Sequence, residues 1–146
     1  MSRRISFRGL IEDSEQEMIP LQTNNGLTGY RIVKFECMQD GFGNSEMVIK
    51  IYKTDQAGNI DNTIDFSDNR LLAACMISGS SSAEANPEDR SIIFDNEIFN
   101  QNIYITAAVS SSADPTNYYI ELEQMKLDLN EQTVATLKDI RNVGAE

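Results

Sequence analysis

Residues 90 to 109, RSIIFDNEIFNQNIYITAAV, contain two short apolar runs on either side of a polar corner. The runs extend from Ile92 to Phe94 and from Ile103 to Ile105, and both consist of β-branched and aromatic residues that favour a pleated surface. The corner between them is rich in Asn, Asp and Glu, which favour turns. We therefore expect two strands here, with Ile98 and Phe99 covering one end of a core.

Strand-like patterns recur along the rest of the chain, separated by turns rich in Gly, Asn and Ser. They cover residues 4–9, 30–38, 46–54, 60–66, 71–78 and 118–129. Leu71 to Ser78 is apolar almost throughout, which favours a central strand covered on both faces, although Leu and Ala would also suit a helix. The alternation changes phase near Val33 and again at Gln124, and a β-bulge would explain each change.

About eight or nine short strands at near-regular spacing predict an all-β sandwich or barrel. A jelly-roll-like β-sandwich is the first choice and an immunoglobulin-like sandwich the second. The 146 residues suffice for a single domain over 1–146. A helical tail is expected over 130–143, capped by Asn130, with Val134, Leu137 and either Ile140 or Arg141 at helical spacing. This helix would pack over an open end of the sandwich or reach a neighbouring subunit.

The charge is strongly acidic, with 12 Lys and Arg against 23 Asp and Glu, a formal net charge of -11 and a pI of about 4.4. Such a surface repels phosphate backbones, so a nucleic-acid partner is not expected. No apolar run approaches the roughly 20 residues of a membrane span, and acidic residues from Glu12 interrupt any signal peptide. Arg3, Arg4 and Arg8 make residues 1–9 a basic arm that could dock on an acidic neighbour, or an edge strand with charged outward positions.

Residues for catalysis are sparse, because the chain has no histidine and no recognisable nucleophile or phosphate-loop motif. We expect no catalytic residue, no cofactor and no metal. Asp55, Asn59 and Asp61 offer calcium-like oxygens, but their spacing does not match an EF-hand. Cys37 and Cys75 lie in apolar runs and are expected to be reduced and buried, with a single bridge as the alternative.

Several stretches resemble small uncharacterised structural proteins of tailed bacteriophages of marine bacteria. They are RISFRG (4–9), TNNGLTGYRIVKF (23–35), FDNEIFNQ (94–101), NYYIELE (117–123) and TLKDIRN (136–142). The resemblance implies a virion component, most closely a capsid decoration or cement protein, and it brings no catalytic residues.

The sequence therefore predicts a non-enzymatic virion protein, assembled in the host cytoplasm, that binds the major capsid protein or other virion subunits. We expect a homo-oligomer, with a trimer as one option, and no membrane partner. Tail components (tube, fibre or connector) and a soluble calcium- or glycan-binding module are the alternatives. The expected contact residues are Arg3, Arg4, Arg8, Phe94, Ile98, Phe99, Leu137 and Ile140.

Overall fold

The computed structural model describes residues 3–41, 46–78, 88–94, 97–109, 114–128, 130–131 and 133–137. Within these ranges the chain forms eight β-strands, and residues 130–131 and 133–137 form a short helix, α1. The strands are β1 (Arg3–Ile11), β2 (Gln16–Ile19), β3 (Thr28–Gln39), β4 (Met47–Tyr52), β5 (Leu71–Ser78), β6 (Glu88–Ile93), β7 (Ile103–Val109) and β8 (Thr116–Lys126).

The strands form two antiparallel sheets, one of three strands in the order β1-β8-β3 and one of five in the order β2-β7-β4-β5-β6. The first strand pairs with the last, the second with the seventh and the fourth with the fifth. This is the pairing of one long hairpin wound into a sandwich, which confirms the jelly-roll-like fold. The remaining two strands, β3 and β6, lie close together, but β6 hydrogen-bonds to β5 and forms an edge of the larger sheet.

The two apolar runs of residues 90–109 are strands, as predicted, but they are not neighbours. β4 and β5 lie between β6 and β7 in the larger sheet. Phe99, in the connection between them, is 1% exposed and its backbone exchanges hydrogen bonds of 2.8 and 2.9 Å with Tyr30 of β3. Phe99 thus ties the connection between β6 and β7 to the smaller sheet and covers one end of the core, as predicted, whereas Ile98 stays partly exposed.

Two further expectations about strands are confirmed. The pairing of β3 with β8 shifts between Ile32 and Lys34, which places a bulge at Val33. β5 spans Leu71–Ser78 inside the larger sheet, with β4 and β6 on its two sides.

Two other expectations about strands are wrong. The pairing of β8 with β3 runs without a shift from Glu123 to Lys126, so there is no bulge at Gln124. The strand instead ends at Lys126, and Leu127 turns inward with its N–H donated to the carbonyl of Leu27 at 2.8 Å. Residues 60–66 are not a strand but part of an irregular segment. Their apolar residues are too few and too widely separated by Asp, Asn and Thr to compete with turns.

Cys37 and Cys75 form a disulfide, which corrects the expectation of reduced thiols. Both side chains are buried on the inward faces of β3 and β5, in opposite sheets, and their Cα atoms are 6.4 Å apart. That separation lies in the range that a disulfide spans without backbone movement. The bond links the two sheets on the side of the sandwich where β3 lies.

The opposite side of the sandwich is closed by a hydrogen bond. Tyr118 of β8 is buried and donates its hydroxyl hydrogen to the Glu17 carboxylate of β2, with 2.5 Å between the oxygens. Burial raises the pKa of Tyr118, and the bond to Glu17 raises it further. Each open side of the sandwich therefore has its own connection between sheets.

Helix α1 packs over one end of the sandwich, in agreement with one of the two placements expected. Ala135 is buried, and the buried Asn100 side chain donates to the Gly26 carbonyl at 3.1 Å and to the Thr136 hydroxyl at 2.8 Å. The helix cap is Asp128 rather than Asn130: its carboxylate accepts from the Glu131 N–H at 2.7 Å, and Glu131 reaches back to the Asp128 N–H. This reciprocal arrangement is a capping box. Among the described residues no helix is long and apolar enough to cross a membrane.

Candidate contact surfaces

The outer face of the three-stranded sheet carries a surface of mixed apolar and basic character, which we call the β1 face and define by Arg4, Arg8, Leu10 and Met38. Alternation along β1 points Ile5 and Phe7 toward the core and leaves the residues between them outside. In the strand register Leu10 and Met38 lie on either side of Asn117. Their side chains are 50% and 69% exposed and border a shallow groove of about 630 Å³.

The charges on the β1 face are unevenly compensated. On β3, Arg31 pairs with Glu123 at 2.6 Å, and the Lys34 ammonium lies 5.9 Å from the centre of the Tyr119 ring. Arg4 and Arg8 are exposed, and no carboxylate of the described residues lies within ion-pair distance of either. The β1 edge therefore presents two positive charges, while Glu123 lies opposite Arg4 in the strand register and Glu36 lines the same groove as Arg8.

Residues 3–9 are part of an edge strand and not a separate arm. All nine residues of β1 are in register with β8, from Arg3 opposite Gln124 to Ile11 opposite Thr116. Ile11 is fully buried. Of the two interpretations of the basic N-terminus, the structure supports the edge strand, and removal of residues 1–9 would remove most of a sheet strand.

A second groove lies on the outer face of the five-stranded sheet, and we call it the Phe66 groove, defined by Phe66, Met76 and Ile92. It has a volume of about 650 Å³ and a mostly apolar lining, with Arg90 at its rim. Phe66 is 63% exposed and its ring meets the edge of Phe94 at a centroid distance of 4.9 Å. The predicted contact residue Phe94 thus packs against one of the residues that define the groove.

A third apolar surface is the outer stripe of α1, which we define by Glu131, Val134 and Leu137. These residues recur at helical spacing, and Val134 and Leu137 are each 59% exposed. The predicted contact residue Leu137 is therefore accessible, while Ile140 lies outside the described residues.

The predicted contact residues do not form one cluster. Arg3, Arg4 and Arg8 share an edge strand, and Leu137 lies on the helix. Phe99 is a core residue and is not available for contact with a partner.

Sequence reasoning did not identify Leu10, Met38, Phe66 or Met76. For Leu10 and Met38 the signal was present, because each is adjacent to a core residue, Ile11 or Cys37, in an alternating strand and must therefore face outward.

The segment from Lys53 to Arg70 covers the outer face of the larger sheet, and its carboxylates are used in turns and ion pairs. Lys50 of β4 is 2% exposed and donates to Asp61 at 3.0 Å and to the Thr63 carbonyl at 2.7 Å. The hydrogen bond from Lys50 lowers the pKa of Asp61, against a smaller opposing effect of desolvation. Asp55 accepts from the Gln16 amide and the Ala57 N–H, each at 2.8 Å.

Asp55 and Asp61 of this segment are the carboxylates that the sequence offered as calcium ligands. In the part of the chain that the structure describes, no three His, Cys, Asp or Glu side chains are grouped so that they could hold a metal ion. Asp55 and Asp61 each have a protein donor at hydrogen-bond distance. Their oxygens therefore serve to fix the covering segment on the sheet.

Comparison with known proteins gives little. No family model matches the chain, and no curated protein matches it. Among solved structures, a chain from the three-dimensional structure of Cocksfoot mottle virus is similar over 92% of this chain and 98% of that chain, with a TM-score of 0.37 and 7% identity. The proposals below therefore rest on the contacts of this chain itself.

Proposed function

We propose that the protein is a non-enzymatic structural component of a bacteriophage virion, a decoration or cement protein that binds the capsid shell through the β1 face. The observation that carries the proposal is the combination, on one sheet face, of two arginines without an acidic partner among the described residues and two strongly exposed apolar side chains. The jelly-roll-like topology supports it, since viral capsid domains use this architecture. The resemblance to phage structural proteins supports it as well.

The chemistry of the β1 face suits a protein partner with acidic character. Arginine is enriched at protein interfaces, where its guanidinium pairs with carboxylates in a fixed geometry. Leu10 and Met38 supply apolar area, which stabilises a contact by about 25 cal/mol for each Å² removed from water. The acidic remainder of the surface would repel the same partner, so electrostatics would orient the protein with β1 toward the shell.

The proposed role is non-enzymatic. It contains no histidine, and the carboxylates that the structure describes in the covering segment serve turns and ion pairs. We infer a binding role in which the major capsid protein or other virion subunits are the partners and the virion, assembled in the host cytoplasm, is the location.

A double substitution tests this role. Arg4→Glu with Arg8→Glu reverses two exposed charges at outward positions, so the fold should be retained while attachment to capsid shells weakens. Each tenfold loss in affinity corresponds to about 1.4 kcal/mol, and two reversed contacts should give at least a tenfold loss. The measurement is co-sedimentation of the purified protein with shells that lack it, over a range of protein concentrations.

Lys126→Glu is the matched control, because it reverses an exposed cation at the end of β8 outside the β1 face. Equal attachment of the double variant and the wild-type protein would refute the role of the β1 face. Binding to isolated tails instead of shells would assign the protein to the tail. Point substitution is preferable to truncation, since residues 3–9 belong to the sheet.

A further inference from the structure

We propose that the Phe66 groove of one molecule receives helix α1 of a second copy, so that copies associate head to tail. The groove is open and apolar, and three of its lining side chains, Phe66, Met76 and Ile92, are exposed. Exposed apolar area concentrated in one groove is typical of a contact site. This inference does not depend on the capsid proposal.

The proposed occupant is the outer stripe of α1. Val134 and Leu137 lie one helical turn apart, and both project into solvent with 59% of their surface exposed. An amphipathic helix that places apolar residues at this spacing into an apolar groove is a recurrent mode of protein recognition. The stripe and the groove therefore share apolar character, which favours their contact.

The two surfaces also carry one pair of opposite charges. Arg90 is exposed and lies at the rim of the groove. Glu131 is exposed and lies one turn before Val134 on the same stripe. Asp65, which also lines the groove, accepts hydrogen bonds from the Ser67 hydroxyl at 2.6 Å and from the Ser67 N–H at 2.9 Å. A helix seated with Val134 and Leu137 in the groove would thus bring a carboxylate toward an arginine.

The helix comes from a second copy because the described part of α1 does not line the groove of its own chain. Among the described residues, the side chains that line the groove come from residues 63–66, β5 and β6. The opposite side of α1 is fixed by Ala135 and by the Asn100–Thr136 hydrogen bond. Contact between two different surfaces on identical copies is heterologous, and it closes into a ring or continues as a chain.

The test uses two single variants and their mixture. Phe66→Glu places a charge in the groove, and Leu137→Glu places one on the stripe. Light scattering over a range of concentrations should show wild-type assemblies larger than a monomer, and each variant alone should be monomeric. Mixed in equal amounts, the two variants retain one intact groove and one intact stripe between them, so the mass should double to that of a dimer and rise no further.

Met18→Glu is the control, because Met18 is an exposed apolar residue on β2, at the edge of the larger sheet opposite β6, and belongs to neither surface, so this variant should assemble like the wild type. Ile92→Glu is a second groove variant and should also be restored to a dimer by Leu137→Glu. Circular dichroism and thermal unfolding verify that each variant is folded. A monomeric wild type, or a mixture of variants that stays monomeric, would overturn the proposal. Loss of attachment to shells without any change in self-association would affect only the capsid proposal.

Discussion

Gly9 allows the Tyr118 ring to lie across β1. The two residues are opposite each other in the β1-β8 register, and a Cβ atom built on Gly9 would be 2.8 to 2.9 Å from three atoms of that ring. The ring cannot easily withdraw, since its hydroxyl is held by Glu17 of the other sheet. One glycine in an edge strand therefore permits a connection between the two sheets.

Replacement of Gly9 by Ala should destabilise the protein. The added methyl group would displace the Tyr118 ring or bend β1, and overpacking of this kind costs about 1–3 kcal/mol. The free energy of unfolding in urea measures the effect. Gly41→Ala is the control, because a Cβ at Gly41 would meet no atom within 4 Å. Equal stability of the Gly9 and Gly41 variants would show that the ring has room to move.

At the scale of elements, the covering segment from Lys53 to Arg70 shows how an irregular stretch can be ordered. Its aspartates accept hydrogen bonds from the backbone N–H groups two residues later in the chain. Asp61 accepts from Thr63, and Asp68 accepts from Arg70. Such Asx turns fix the backbone locally without a strand partner. The Lys50–Asp61 pair then attaches the segment to β4 and shields the ammonium from water.

Asp61→Asn should loosen this attachment in a pH-dependent manner. At pH 7 the loss of a charged hydrogen-bond partner for a buried ammonium should cost about 1–3 kcal/mol. Because the pKa of Asp61 is lowered in the folded state, its contribution is present above the ordinary value of about 3.9 and is lost as the pH falls through the lowered one. The difference from wild type should therefore be constant between about pH 5 and 7 and shrink below about pH 4.

Urea unfolding at several pH values measures this difference. Asp40→Asn, which removes an exposed carboxylate outside the covering segment, should leave the free energy of unfolding unchanged. A difference that grows on acidification would contradict the assigned sign.

The sequence could predict that most of the strands exist, but it could not predict which strands pair or at which residue a strand or helix ends. Alternation around Ile49 and Ile120 predicted β4 and β8, and the phase shift at Val33 predicted a real bulge. Gln124 looked similar in sequence, but there the strand ends two residues later and Leu127 turns inward. The helix is capped by Asp128 and not by the predicted Asn130, because Glu131 completes a capping box with Asp128. These outcomes depend on neighbours that one-dimensional patterns do not contain.

At the scale of the whole molecule, the two sheets are joined on both sides, by the Cys37–Cys75 disulfide and by the Tyr118–Glu17 hydrogen bond. Neither connection could be predicted from spacing, because each depends on which strands face one another across the core. Of the contact surfaces, one was visible in the sequence and another was not. The arginines of β1 are visible in the sequence, but the Phe66 groove exists only because the covering segment lies beside β5 and β6.

Reduction of the disulfide should lower stability without loss of the fold. The bond closes a loop between residues 38 positions apart, for which chain entropy predicts a contribution of about 4 kcal/mol. Urea unfolding with and without a phosphine reductant measures it. The Cys37→Ala, Cys75→Ala double variant should show lowered stability that no longer responds to reductant. A wild-type protein equally stable in both conditions would show that the bond adds nothing to stability.

The pairing of β1 with β8 has a consequence for the time course of folding. The first strand must wait for the last to be synthesised, since all nine of its residues are in register with residues 116–124. Until then Ile5, Phe7 and Ile11 have no sheet partner on a nascent chain. Topologies dominated by such distant contacts fold slowly, on the order of milliseconds to seconds. The protein should thus acquire its three-stranded sheet only after β8 has left the ribosome, and chaperones that shield apolar strands should raise its yield.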